Sequence, residues 1–293
     1  MPLRGKAAEG MMEGVAALPG GGYIAVGRDF KPPSERAELS RAMAWHSQDG
    51  TKWKRVSMDK SVRSALMWDV TATPDGVAAA GCLAGYHCGS GRVWTSADGQ
   101  AWDLVDDIAM APYAIAADTE GNLVVGGEDD AYDLVNGQAA VAASTDDWTA
   151  RVLASAESNV SGVTAYEDGF LAVGTLWDRN DQSLRGSALL RSDDGLDWEL
   201  LQPEDLGQTA VGDISAAGGL VALVGMEKTK KDRFVPVVRW SRDLEVFEVM
   251  ELPTEAKPNQ TDLAGVRITD DGARVIVFGT ERGRPIIWLS SAE

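Results

Sequence analysis

The stretch Ser47-Gln48-Asp49-Gly50-Thr51-Lys52-Trp53 returns as Ser96-Ala97-Asp98-Gly99-Gln100-Ala101-Trp102 and as Ser192-Asp193-Asp194-Gly195-Leu196-Asp197-Trp198, all of the form S-x-D-G-x-x-W. Degenerate copies fill the gaps: Ser144-Thr145-Asp146-Asp147-Trp148 is two residues shorter, and Ser241-Arg242-Asp243-Leu244-Glu245-Val246-Phe247 replaces Gly by Leu and Trp by Phe. With Ser290 the serines are spaced 49, 48, 48, 49 and 49 residues apart, so six periods account for the 293 residues. A fixed period of this length is the signature of one supersecondary unit repeated.

Outward from each copy the pattern alternates with the strand period of two and is broken by turn residues every eight to twelve positions. The second period reads Met67–Thr73, a Pro74-Asp75-Gly76 turn, Val77–Gly81, a loop, Arg92–Ser96, the Asp98-Gly99 turn and Trp102–Val105. That predicts four short antiparallel strands, designated A to D. Pro-Gly, Asp-Gly and Gly-Gly pairs recur at the A–B position, as tight hairpins require. A four-stranded sheet cannot bury both faces alone, and about 49 residues per sheet without helical patterning points to radial stacking. The expected fold is therefore all-β, a single six-bladed β-propeller. The blades are expected at about 11–57, 65–106, 110–153, 160–202, 210–251 and 262–290, the last completed by residues 1–7 because the chain ends after its third strand. Pro2 to Lys6 are expected to supply that closing strand D, since an open sheet edge invites aggregation.

The S-x-D-G-x-x-W segments resemble the Asp-box, or BNR, repeats of sialidase-like propellers, one residue shorter than the commonest spacing. The resemblance covers nearly the whole chain. Such boxes occur in sialidases, some glucan hydrolases, sorting receptors and photosystem assembly factors, so the resemblance implies a fold rather than an activity. The arginine, tyrosine and glutamate motifs of sialidases are missing: Arg4 and Arg28 are the early arginines, and neither lies in a Phe/Tyr-Arg-Ile/Leu-Pro segment. Within the boxes, Ser47, Asp49, Trp53, Ser96, Asp98, Trp102, Ser192, Asp194 and Trp198 are read as structural. Asp and Ser accept turn amides, Gly supplies positive φ, and Trp covers apolar surface.

Composition narrows the function. The net charge of −18 repels phosphate backbones, so nucleic acid is not an expected partner. No apolar run reaches the roughly 18 residues of a membrane-spanning helix, and Met1–Lys6 lack the apolar stretch of a signal peptide. The expected location is extracellular or at the cell surface, as a mature chain without its signal peptide, and cytoplasmic if the cysteines are reduced.

A meander puts the A–B and C–D turns at one end of each blade and the B–C and D–A connections at the other. The B–C loops vary in length and chemistry, and variable loops on a regular scaffold carry function. Eight of the ten tryptophans fall in the repeat frame; Trp68 and Trp177 do not. Together with Tyr86, Tyr113, Tyr132 and Asp178 they form the expected ligand-binding set, suited to a glycan or to a protein hot spot. Cys82 and Cys88 flank one B–C loop and are expected to form a disulfide rather than free thiols or a metal pair. Glu128-Asp129-Asp130 with Asp133 is read as a solvated acidic loop, lacking the order of a calcium loop, and Lys228, Lys230, Lys231 and Arg233 as a basic hairpin tip. No cofactor and no metal are expected.

The resulting expectation is a non-catalytic recognition propeller for a glycan or protein, with oligomeric state left open. Two alternatives stand beside it. One is a glycoside hydrolase or lyase using Asp69, Asp213 or Glu13 at the channel mouth as paired carboxylates. The other is a structural subunit of a larger assembly.

Overall fold

The computed structural model describes residues 10–29, 41–59, 62, 65–83, 88, 90–129, 137–153, 159–177, 184–201, 203, 206, 209–229, 233–250, 252, 260–269, 271–282 and 284–291. They build six antiparallel meanders in chain order, five of four strands and one of three: an all-β six-bladed propeller. The strands fall into two compact units, Met1–Val152 and Leu153–Glu293, of three blades each.

In the first unit, blade 1 comprises Gly10–Ala17, Tyr23–Asp29, Ala42–Ser47 and Trp53–Arg55. Blade 2 comprises Ala65–Thr73, Gly76–Leu83, Gly91–Ser96 and Asp103–Ile108, and blade 3 Ala111–Ala117, Leu123–Glu128, Ala139–Ala143 and Arg151–Val152. In the second unit, blade 4 comprises Val160–Tyr166, Gly169–Trp177, Leu184–Ser192 and Glu199–Leu201. Blade 5 comprises Thr209–Ala217, Leu220–Lys228, Phe234–Ser241 and Glu248–Met250, and blade 6 Thr261–Ile268, Arg274–Glu281 and Arg284–Ser291. The expected closing strand at Pro2 to Lys6 lies outside the described residues; among those described, blade 6 has three strands.

Burial follows from stacking sheet on sheet. Strand B of blade 2, Gly-Val-Ala-Ala-Ala-Gly-Cys, is buried throughout, because a neighbouring blade covers each face and only small side chains fit between. Strand D, Asp-Leu-Val-Asp-Asp-Ile, is exposed up to its last residue, and its acids guard a sheet edge against pairing. Within the first unit one core joins blades 1 and 2 through Ile24, Val26, Met67, Val70, Trp94 and Trp102, and another joins blades 2 and 3 through Val93, Ile115, Val125 and Trp148. Within the second unit, Leu189, Ile214, Leu223 and Phe247 join blades 4 and 5, and Val224, Val238, Val266 and Trp288 join blades 5 and 6. Each large side chain so covered stabilises the fold by roughly 1.5–3 kcal/mol.

The boxes lock the C–D turns. Asp49 Oδ1 accepts the amides of Thr51 and Lys52, both at 2.8 Å, and Asp194 Oδ1 those of Leu196 and Asp197 at 2.8 and 2.9 Å. Gly50 and Gly195 supply positive φ, and the Trp53 and Trp198 indoles donate to their own box-glycine carbonyls at 3.0 Å. Trp102 behaves differently: it turns inward, 7% exposed, and packs in the core between blades 1 and 2. In blade 5 the turn survives with Leu244 at φ 64°, its amide donating to Ser241 Oγ at 3.0 Å. In blade 3 the two missing residues convert the turn into a 3-10 helix over Ser144–Asp146; Asp146 there pairs with Arg151 at 2.7 Å.

Candidate functional site

Strand A of all six blades carries a β-bulge at one register. Pairing skips from Met12 to Gly14, Met67 to Asp69, Pro112 to Ala114, Val160 to Gly162, Val211 to Asp213 and Leu263 to Gly265. The residues left unopposed are Glu13, Trp68, Tyr113, Ser161, Gly212 and Ala264. A bulge bends its strand and re-aims a side chain, and bulges concentrate at working surfaces.

Sequence makes this register obligatory. The residue preceding each bulge faces a glycine on strand B: Gly27, Gly81, Gly127, Gly174, Gly225 and Gly279. A Cβ on any of them would land inside the carbonyl oxygen of Met11, Leu66, Ala111, Asn159, Ala210 or Asp262 respectively. Their mark in the sequence is a recurring small-or-apolar run ending in glycine, Ile24-Ala-Val-Gly27 to Ile276-Val-Phe-Gly279. Periodicity alone gives these glycines no role, because the close approach of two backbones is visible only once the strands are paired.

In the first unit the bulged residues are large and each is held by its own blade. Glu13 Oε1 accepts from Arg28 Nε at 3.0 Å, and Tyr113 donates to Glu128 Oε1 at 2.5 Å; Arg28 and Glu128 each directly follow the register glycine. Trp68 donates its indole N–H to Cys88 Sγ at 3.4 Å, and Cys88 is bridged to Cys82, the residue after Gly81. The Arg28 guanidinium lies over the Trp68 ring at 4.8 Å, linking the bulges of blades 1 and 2. Burial, and then the Glu128 carboxylate beside it, push the Tyr113 hydroxyl well above its ordinary pKa, so it remains a donor. Glu13, Trp68 and Tyr113 thus occupy equivalent positions toward the D–A ends of three consecutive strands. In the second unit the same register carries Ser161, whose hydroxyl donates to Val211 O at 2.8 Å, and the small Gly212 and Ala264.

The other residues singled out by sequence distribute as follows. Cys82 and Cys88 form the expected disulfide. Trp177 ends strand B of blade 4, opposite Leu184; Tyr86, Tyr132 and Asp178 lie outside the described residues, as do Asp130 and Asp133. Asp69 and Asp213, next to the bulges, lie in different units and do the same work in each. Asp69 accepts the amides of Val70 at 2.8 Å and of Ile115, in the following blade, at 3.0 Å. Asp213 accepts those of Ile214 at 2.9 Å and of Val266, again in the following blade, at 3.0 Å, and pairs with Arg267 at 2.9 Å. Both carboxylates tie neighbouring strands A together. Glu128 lies not in a solvated loop but on strand B, bonded to Tyr113. Arg28 drew attention in the sequence only for lacking a sialidase motif; its role depends on its position after Gly27. Among the described residues no group of three or more His, Cys, Asp or Glu side chains is arranged to hold a metal ion, and no helix is long and apolar enough to cross a membrane.

No protein-family model matches the chain, and no curated protein matches it in sequence. Solved structures do. A structure of YCF48 bound to D1 peptide superposes with a TM-score of 0.61 at 13% identity, covering 100% of this chain and 81% of that one. The β-propeller domain of the Trilobed protease from Pyrococcus furiosus, described as having an open velcro topology, gives 0.57 at 11% identity over 97% of this chain and 82% of that one. A GH43 β-1,3-galactosidase with galactodeoxynojirimycin gives 0.52 at 11% identity over 87% and 98%. At these identities the likeness is one of fold: the chain is a six-bladed β-propeller similar in architecture to the YCF48, Trilobed-protease and GH43 propellers.

Proposed function

We propose that the protein is a non-catalytic recognition module that binds a segment of another protein on the B–C and D–A end of its first unit, through Trp68 and Tyr113. The observation that carries this reading is the bulge row: three successive blades present a large polar or aromatic residue at one register, each fixed by a partner from its own blade. Groups immobilised before the ligand arrives lose little entropy on binding, and aromatic anchors with a polar tip are the usual hot spots of protein recognition. The peptide bound to the similar YCF48 propeller favours a protein ligand over a glycan for this chain. Tyr86 and Tyr132, read from the sequence as belonging to the B–C connections of blades 2 and 3, are proposed to extend the bulge row. The disulfide suits an oxidising compartment, so the recognition is proposed to take place outside the cytoplasm.

Against the hydrolase alternative stands the engagement of its carboxylates: Asp69 and Asp213 each accept two backbone amides, and Glu13 is paired with Arg28. Selection from a displayed library of random peptides tests the proposal. The expected result is a family of binders that lose at least about tenfold in affinity to the Trp68→Ala, Tyr113→Ala double variant. Binders indifferent to both changes, or glycan turnover abolished by Asp69→Asn, would overturn it.

A further inference from the structure

Resting on that recognition reading, we propose that Arg28 is its specificity-determining donor, and that what it reads is an uncharged oxygen acceptor, the amide carbonyls of an extended peptide, rather than a carboxylate or phosphate. Three observations carry this.

First, Arg28 is immobilised from two sides. Its Nε donates to Glu13 at 3.0 Å and its guanidinium plane lies 4.8 Å from the Trp68 ring centroid. Among the described residues neither Nη group has a hydrogen-bond partner, and the side chain keeps 33% of its exposure. The two Nη groups therefore form a fixed donor fork at the ligand-facing end of the bulge row, of the kind that arginine offers and lysine does not.

Second, its charge is already cancelled. Glu13 neutralises the guanidinium, and Arg92, at the same end of blade 2, is paired with Asp107 at 2.6 Å. Beside these pairs stand further acids, Asp29, Asp106 and Asp129, which accept backbone amides. An anionic ligand would meet, at Arg28 and Arg92, guanidiniums already paired with carboxylates and further acids beside them, a juxtaposition that costs binding energy. A neutral carbonyl finds the same donors without that cost.

Third, the neighbouring bulge residues suit a peptide lying across the row. Tyr113 and Trp68 offer apolar area for side chains, and an extended chain presents a carbonyl at every residue, about 3.3 Å apart, for the fork to engage.

The experiment uses peptides selected on the wild-type protein, synthesised as Asn/Asp pairs at each position and titrated at low and high sodium chloride. The wild-type protein is expected to bind the Asn forms at least as tightly as the Asp forms, with affinity changing less than about twofold across the salt range. Arg28→Lys should weaken binding by about tenfold without lowering Tm, through loss of the fork. Glu13→Gln keeps an acceptor for Nε but uncovers the charge; it should invert the preference at one peptide position toward Asp and make binding salt-dependent. A wild-type preference for Asp forms that weakens in salt, or binding unaltered by Arg28→Lys, would overturn the inference. Trp68→Ala measured alongside separates the two levels. If it leaves binding intact, the recognition site itself is wrong; if it abolishes binding while Arg28→Lys does not, only the role of Arg28 is.

Discussion

Asp49, Asp98, Asp194 and Asp243 stand at the same place in four C–D turns, and in each the carboxyl is held below its ordinary pKa, first by the backbone amides it accepts. Asp271, in an A–B turn, is lowered mainly by the Thr269 hydroxyl. A carboxyl whose folded pKa lies below its unfolded value near 3.9 contributes stability that is fully present above that value. The contribution is lost as pH falls toward the folded pKa. The protein is therefore expected to hold a constant Tm from neutral pH down to about pH 5 and to lose stability steeply below about pH 4; thermal melts of the wild-type and Asp194→Asn proteins across pH 2.5–7 check this, the variant showing the shallower acid limb. A second expectation concerns glycine. Gly81→Ala puts a Cβ against Leu66 O and should cost about 2–3 kcal/mol, measured by urea unfolding, whereas Gly20→Ala, with nothing near its Cβ position, should cost a few tenths at most. Box residues were legible in the sequence because hydrogen-bonded turns demand particular side chains. The register glycines and Arg28 were not, because their roles arise from cross-strand pairing.

At the scale of the element, the repeat announces four strands, and the box Trp its site, but not its direction. Trp53 and Trp198 close their own turns, while Trp102 swings into the interblade core. The motif cannot distinguish these outcomes, since which side of the turn offers apolar cover depends on the adjacent blade. Blade 3 shows the same limit: deletion of two residues leaves Trp148 buried but replaces the Asp clamp with an ion pair to Arg151. The strand-B element of blade 2 bears a further prediction. Cys82 is fully buried and Cys88 is not, so a thiol reductant reaches Cys88 and must expel Cys82 as a thiolate into apolar packing. That leaving group is poor. The disulfide is expected to survive millimolar dithiothreitol in the folded protein and to be reduced rapidly in denaturant, as thiol alkylation and intact-mass measurement would register; rapid reduction under native conditions would refute the argument.

At the scale of the molecule, the period of about 49 residues with strand alternation foretold an all-β propeller of six blades. It also pointed to Trp68, Tyr113 and Glu13, though as members of two different proposals, aromatic ligand contacts and channel carboxylate. The structure puts the three at equivalent bulges of one unit and assigns Asp69 and Asp213 to interstrand ties. What the sequence could not convey is that Glu13 and Tyr113 each have a holder one position after a glycine on the next strand, because that relation crosses 15 residues and a turn. The most direct test labels the ten tryptophans with 5-fluorotryptophan, assigns the Trp68 fluorine resonance by Trp68→Phe, and follows titration with a selected peptide. The account predicts that the Trp68 resonance moves while those of Trp53 and Trp198, at the opposite end of their blades, stay in place. A shift of the box resonances with Trp68 unmoved would contradict it.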